Sequence, residues 1–424
     1  GAIENNSNKF ISTQISEQGS ISILQILRDI EQTTPYIKHF QHHTKSNVAL
    51  DANPDTAFAG IIALGCNIGV SRMAEHSLGI TESELTDMVN WRFSNDNLKK
   101  INRLLIERLD ELDLAKVYRV ENDKIYSSSD GQKITVAVDS LISSYSYKYY
   151  GKDKGVTLYS FVDERQGLFH TTVYSAADRE ATYLIDGLLN NVSNLKQVHC
   201  SDTHGYTGAV FGVSDLLDIS FAPRLKRFET QVKSCFSDKN YYERRGFHLK
   251  PTDKISRSLI ESNWDGILRF MATIKLGKSS ASQLFKRLNS YSIDHPLYKA
   301  LKEYGKIAKS LHILTYYDDV AFRQKIQKQL NLVEASNRFF KAVFWDRDHK
   351  FHVSTKKELE QHALCRSIIQ NSIILWNYML LTEKMLDTKD ITERNLMKEE
   401  IAKGSVLSWK HVMFAGQYDF TKKA

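Results

Sequence analysis

The sequence is poor in cysteine, and the four it has, Cys66, Cys200, Cys235 and Cys365, are scattered with no CxxC pair. That spacing excludes a disulfide framework and a zinc ribbon, and makes a reducing cytoplasm the expected setting. Long apolar runs are missing too. The most apolar stretch, SIILWNYMLL at residues 372–381, is much shorter than the ~20 residues a membrane crossing needs, so no membrane partner is expected. The N-terminal GAIENNSNKF is polar and lacks the basic, apolar, small-residue order of a signal peptide. A Gly-Ala start in place of Met reads as a processing scar, and the chain is expected to be part of something longer. There is no internal repeat and no low-complexity segment.

What is present is an ordinary globular balance. The 424 residues are 42% hydrophobic and 25% charged, enough to bury a core in two or three modules. Lys plus Arg number 57 against 50 Asp plus Glu, a net charge of +7 that tilts the expected partner mildly toward polyanions.

Residues 1–120 read as an α-helical module. In NLKKINRLLIERLDELDL, Leu98, Ile101, Leu105, Leu109 and Leu112 recur every three or four positions on one face. At KIYSSSDGQKITVAV the pattern changes to alternating, β-branched residues. GVTLYSFVDERQGLFHTTVYS then gives two strand-like runs hinged at Arg165, Gln166 and Gly167. Ser175 and Asp178 are expected to cap a helix over DREATYLIDGLLNN. KQVHCSD reads as a strand, TGAVFGVSDLL as a helix capped by Thr207, and ISFAPRL as a strand stopped by Pro223. Three strands, helix, strand, helix, strand predicts an α/β fold, a mixed five-stranded sheet flanked by helices. A helical insertion is expected at about 229–320, followed by a stripe of Phe322, Ile326, Leu330, Val333, Phe340 and Phe344 with Asn337 as its polar interruption. A helical tail closes the chain over 355–424.

In such a sheet, ligands gather at the carboxyl ends of central strands. Asp130, before Gly131, is expected at or near the end of the first strand, and Asp202 at the end of the fourth. Adjacent central strands would bring the two together. Glu334 follows Val333 and sits about 40° round its helix from the apolar stripe. Three converging carboxylates need cations among them, and hard oxygen donors suit Mg²⁺ or Mn²⁺. Two such ions about 4 Å apart form the two-metal arrangement for phosphodiester chemistry.

SSSDGQ, SDTHGYT, FAPRL, ESNWDGILR and QLNLVEASNRFFKAVFW, in this order, resemble the C-terminal catalytic region of the Tn-three family of replicative transposases. GVSRMAE upstream and GQYDF downstream fit the same pattern, so the resemblance covers most of the chain. It implies an RNase H-like catalytic domain over 121–424 and a DDE-type enzyme, with Asp130, Asp202 and Glu334 as catalytic residues and metal ligands. It also implies nicking at transposon ends and transfer of the freed 3′-hydroxyls to target DNA, with Mg²⁺ or Mn²⁺, two ions. The partner is then double-stranded DNA, at transposon ends and target, bound by a homodimer in the bacterial cytoplasm at the nucleoid. The several hundred N-terminal residues that bind inverted repeats in that family are not part of this sequence. A repurposed or truncated DNA-binding or assembly module without catalysis is the alternative.

Asp139, closing ITVAVD, rivals Asp130 on sequence pattern alone. His199, Cys200 and His204 lack a fourth ligand for zinc, and a strand would send His199 and Cys200 to opposite faces, so they read as packing residues. Arg224, Lys226, Arg227, Arg244, Arg245 and Arg338 are the candidate DNA-binding residues. All but Arg338 sit in a run that also carries Lys239 and is interleaved with Phe228, Tyr241, Tyr242 and Phe247, a mixture suited to phosphates and unstacked bases.

Overall fold

The β-branched segments of the sequence centre assemble as a mixed sheet in the computed structural model, which describes residues 2–44, 51–191, 193–202, 207–290 and 295–422. Its strands are β1 (Lys124–Val136), β2 (Ser144–Tyr145), β3 (Lys154–Asp163), β4 (Leu168–Ser175), β5 (Lys196–Cys200) and β6 (Ser220–Phe221). The order is β2-β3-β1-β5-β6, with β4 also paired to β3. Six strands stand where five were expected. The extra one, β2, is two residues long, too short to leave a period in the sequence. Helices used below are α1 (Pro54–Gly65), α2 (Asn95–Glu111), α3 (Glu180–Leu188), α4 (Gly208–Leu216), α5 (Pro296–Asp318), α6 (Val320–Val343) and α7 (Lys356–Asp387).

The chain divides into two compact units. One comprises Gly1–Arg119, Gly131–Ala177 and Glu334–Ala424; the other comprises Val120–Asp130 and Asp178–Val333. Strand β1 and helix α6 each contribute residues to both. In the first unit β3 runs antiparallel to β4 from Val156↔Ser175 to Val162↔Leu168. Ile134, Val136, Val156, Leu158 and Val173 pack with Phe340 of α6, with Phe344 just beyond it, and with Phe351 and Leu359. Helix α7 packs against α1, α2 and β4. It opens on a capping box in which Thr355 and Glu358 satisfy each other's backbone N–H groups. Although α7 is long, no helix among the described residues is long and apolar enough to cross a membrane.

In the second unit β1, β5 and β6 are parallel. Tyr126, Val198, Cys200, Ala222 and Leu225 pack with Ile313, Ile326 and Leu330. The apolar stripe that begins in α6 is thus divided, with Ile326 and Leu330 in this core and Phe340, followed by Phe344 just past the helix, in the other. Helices α4 and α5 approach closely because Gly212 and Gly305 lack side chains; a Cβ on Gly305 would collide with the Gly208 carbonyl. Thr207 caps α4 by accepting from the Val210 N–H, as its sequence predicts. The expected Ser175–Asp178 cap does not form. Helix α3 begins at Glu180 after Arg179, because Ser175 Oγ instead accepts from the Ala177 N–H and the Asp178 carboxylate is taken by the Tyr183 hydroxyl and Lys286. Cys66, Cys200, Cys235 and Cys365 are all buried free thiols.

Candidate functional site

The register of the parallel strands fixes the geometry around Asp202. Between β1 and β5 the last partners are Ser127↔His199 and Ser128↔Cys200, so Asp130 and Asp202 each lie two residues beyond paired positions. Neighbouring strands are about 4.8 Å apart and equal offsets carry the same pleat, so this register puts the two acids at the same level on adjacent chains. Asp130 does not end its strand, contrary to expectation: β1 runs on to Val136, and only its pairing with β5 stops at Ser128.

On the other side of β5 the partners are Val198↔Ser220 and His199↔Phe221. Backbone pairing continues past the short β6, with the Ala222 N–H donating to the His199 carbonyl and the Arg224 N–H to the Ser201 carbonyl, 2.9 Å. The same offset therefore sets Arg224 beside Asp202. Its guanidinium donates to Asp202 Oδ1 through Nη2 at 2.8 Å and Nε at 3.2 Å. Nη1 donates to Gln327 Oε1 on α6 at 3.2 Å, and Gln327 Nε2 donates to Asn331 Oδ1 at 2.9 Å. Gln327, Asn331 and Glu334 are spaced i, i+4, i+7, one face of a helix, and all three are exposed.

Helix α6 is tied to β1 at two points. Within the second unit Ser128 Oγ donates to the Gln329 carbonyl at 2.7 Å. Within the first, Gln132 Nε2 donates to the Asn337 carbonyl at 3.1 Å.

His199 is buried between two serines, with Ser127 Oγ 2.8 Å from Nδ1 and Ser129 Oγ 2.9 Å from Nε2. Burial lowers its pKa to about 3, so the ring stays neutral. Cys200 lies in the apolar cluster, and burial pushes its thiol up. Both are packing groups. His204 lies outside the described residues. Asp139, the rival acid, is exposed and paired with Lys154 Nζ at 2.7 Å. Among the described residues no group of three or more His, Cys, Asp or Glu side chains is gathered as a metal would require. The cation that does lie at Asp202 is the Arg224 guanidinium.

Of the basic candidates, Lys226, Arg227, Arg244, Arg245 and Arg338 are exposed. Arg227 adopts a left-handed backbone with φ 48°, and Arg245 stacks over the Tyr241 ring at 4.7 Å. The Lys239 side chain lies outside the described residues. Gln327 and Asn331 were not singled out by sequence. Their signal is their helical spacing from Glu334. The signal for the Arg224–Asp202 pair is the common offset of VHCSD and ISFAPR.

The fold and this arrangement define a mixed α/β protein in which Asp130 and Asp202 each follow the last paired residues of two parallel strands. Residues 25–418 match the Tn3 transposase DDE domain, and the chain belongs to that family. It is similar to the transposase for transposon Tn1546 of Enterococcus faecium, 30% identical over 98% of this chain and 41% of that protein. It is also similar to the transposase for transposon Tn2501 of Escherichia coli, 30% identical over 93% of this chain and 39% of that protein. The transposase for transposon gamma-delta of Escherichia coli strain K12 is 27% identical over 95% of this chain and 40% of its own length. The chain spans about two fifths of the length of these relatives.

Proposed function

We propose that this chain is the catalytic part of a DNA transposase. It cleaves DNA at transposon ends and transfers the 3′-hydroxyl strand to target DNA, in the replicative manner its family membership suggests. The core is read as RNase H-like, spanning 121–424 with the helical insertion at about 229–320. Asp130, Asp202 and Glu334 hold Mg²⁺ or Mn²⁺, as two ions. The observation that carries the reading is the β1/β5 register, which sets Asp130 and Asp202 level on adjacent parallel chains. Glu334 enters the set through the family motif it carries, on the helix that follows the insertion.

By chemistry three carboxylates suit hard divalent cations, although the described residues do not gather them into one group. Carboxylate oxygens are hard ligands, and the Asp202 carboxylate already accepts a cation. When bound, the ions would activate water or a 3′-hydroxyl and steady the leaving oxygen. The chain itself supplies the fixed carboxylates. Its exposed Lys226, Arg227, Arg244, Arg245 and Arg338 orient phosphates of double-stranded DNA, and a homodimer serves the two ends.

The test is Mn²⁺- or Mg²⁺-dependent nicking of a supercoiled plasmid carrying the element's ends. Asp130→Asn, Asp202→Asn and Glu334→Gln are each expected to slow nicking by about 10³-fold or more, equivalent to losing several kcal/mol of transition-state stabilisation. DNA retention should be unchanged. Nicking undiminished in Asp202→Asn would reject the assignment and favour a DNA-binding or assembly module.

A further inference from the structure

Arg224 sits against the carboxylate that the proposed function reads as a metal ligand. Two of its nitrogens converge on one oxygen of Asp202, while the third reaches away to Gln327. The pair is half open to water, with Asp202 at 47% and Arg224 at 41% side-chain exposure. Water screens such a contact, so it exchanges partners readily. A guanidinium at hydrogen-bond distance opposes the approach of a divalent cation to the same carboxylate, since like charges a few ångströms apart repel. The guanidinium fork also matches phosphate oxygens as well as it matches a carboxylate.

We propose that Arg224 is a positioning residue that exchanges Asp202 for a DNA phosphate, so that the carboxylate becomes open to metal when nucleic acid arrives. This rests on the reading of Asp202 as a metal ligand. Without DNA, Arg224 holds the carboxylate and metal binds weakly. With DNA, the phosphate takes the guanidinium, Asp202 turns to the metal, and Gln327 keeps the Arg224 head near α6. Metal and DNA affinities are then coupled, and linkage makes the coupling reciprocal. The consequence is an enzyme whose metal site is completed by its substrate, which limits stray hydrolysis by the unbound protein.

The experiment is a Mn²⁺ titration read by electron paramagnetic resonance on the full chain, with and without a duplex lacking a cleavage site. Thermal melts establish that each variant is folded. In the absence of DNA, Arg224→Gln is expected to bind Mn²⁺ about tenfold more tightly than the unmodified chain, within the usual range of coupling between linked sites. DNA should tighten Mn²⁺ binding in the unmodified chain and do so much less in Arg224→Gln. Arg224→Lys, which keeps the charge, should retain weak binding. Arg257→Gln removes the same charge from an exposed arginine paired with Glu261 and should leave Mn²⁺ affinity unchanged. Equal affinity of Arg224→Gln and the unmodified chain without DNA would overturn the exchange, as would an equal gain in Arg257→Gln. If Asp202→Asn added to Arg224→Gln leaves Mn²⁺ affinity unaltered, the fault lies with Asp202 as a ligand. If that addition abolishes binding while Arg224→Gln alone changes nothing, only the exchange fails.

Discussion

Helices α6 and α7 are both long and both bury polar side chains, Gln329, Ser336 and Asn337 among those of α6, but α6 also keeps one polar face exposed. In α7, Gln361, His362, Arg366, Gln370, Asn371 and Asn377 are buried, and each meets a partner. Gln361 donates to the Phe93 carbonyl, Gln370 to Ser336 Oγ, and Asn377 to the Val406 and Ser408 carbonyls. Arg366 is capped by the Phe340 ring at 4.5 Å, and burial lowers its pKa to about 9. In α6, Gln327, Asn331 and Glu334 lie on an exposed face adjoining the one that supplies Ile326 and Leu330 to the core. A buried polar group must be satisfied, so those of α7 specify one packing of the first unit. An exposed polar face carries no such constraint and is available to ligands.

The sharpest way to break this contrast is Asn371→Leu. Asn371 grips the backbone of Leu168 as a paired strand would: its Oδ1 accepts from the Leu168 N–H and its Nδ2 donates to the Leu168 carbonyl, both at 2.9 Å. Leucine keeps the volume and removes both bonds together with a third, from Nδ2 to Asn102 Oδ1 at 3.2 Å, leaving buried polar groups unsatisfied at a cost of about 2–4 kcal/mol in urea unfolding. A loss below about 0.5 kcal/mol would show that the polar interior of α7 is not what specifies its packing.

Acid offers a second, smaller test, because it addresses buried histidines in each unit. Burial lowers His199 on β5 to about 3 and His362 on α7 to about 4. In the unfolded chain both titrate near 6.5. Below that pH the unfolded state takes up protons that the folded state refuses. The stability from each neutral ring is therefore fully present above about pH 6.5 and lost as pH falls toward 4 and 3, by about 1 kcal/mol per pH unit per histidine. Hydrogen exchange at pH 7 and pH 5 should show protection falling in β5 and in α7. His199→Gln should flatten the fall in β5 alone and His362→Gln in α7 alone. A fall that survives both substitutions unchanged would assign the acid sensitivity elsewhere.

How far these features were legible follows from the range of the interactions involved. The strand and helix order from Lys124 to Leu225 is written in local periodicity and in the Thr207 cap, and it appears as expected apart from the two-residue β2 and the one-turn helix Tyr147–Tyr150. Asp130 and Asp202 stood out because each sits among serines and glycines after an apolar alternation. That adjacent central strands carry them is legible, and the two strands do pair; the exact register is not, because it depends on pairing across the sheet. The Arg224–Asp202 contact was hidden for the same reason, and Arg224 was read only as a DNA contact. The Ser175–Asp178 cap failed because tertiary partners, Tyr183 and Lys286, claimed the Asp178 carboxylate. The buried polar residues of α7 left no trace, since a helix enclosed on all sides has lost the amphipathic period that reveals orientation.

The smallest expected effect tests the other side of the comparison. Gln327→Ala with Asn331→Ala removes the hydrogen bond between them, 2.9 Å, and the Gln327 contact to Arg224, 3.2 Å. Both side chains are exposed, so water replaces what is lost, and alanine raises helix propensity slightly. Urea unfolding of the double variant should differ from that of the unmodified chain by no more than about 0.5 kcal/mol in either direction. A loss of about 2 kcal/mol or more, the scale of a buried polar group left unsatisfied, would mean that this face of α6 is a fold-specifying surface like that of α7. Glu334 would then belong to a packing layer, and its availability to a metal would no longer follow from the exposure of its neighbours.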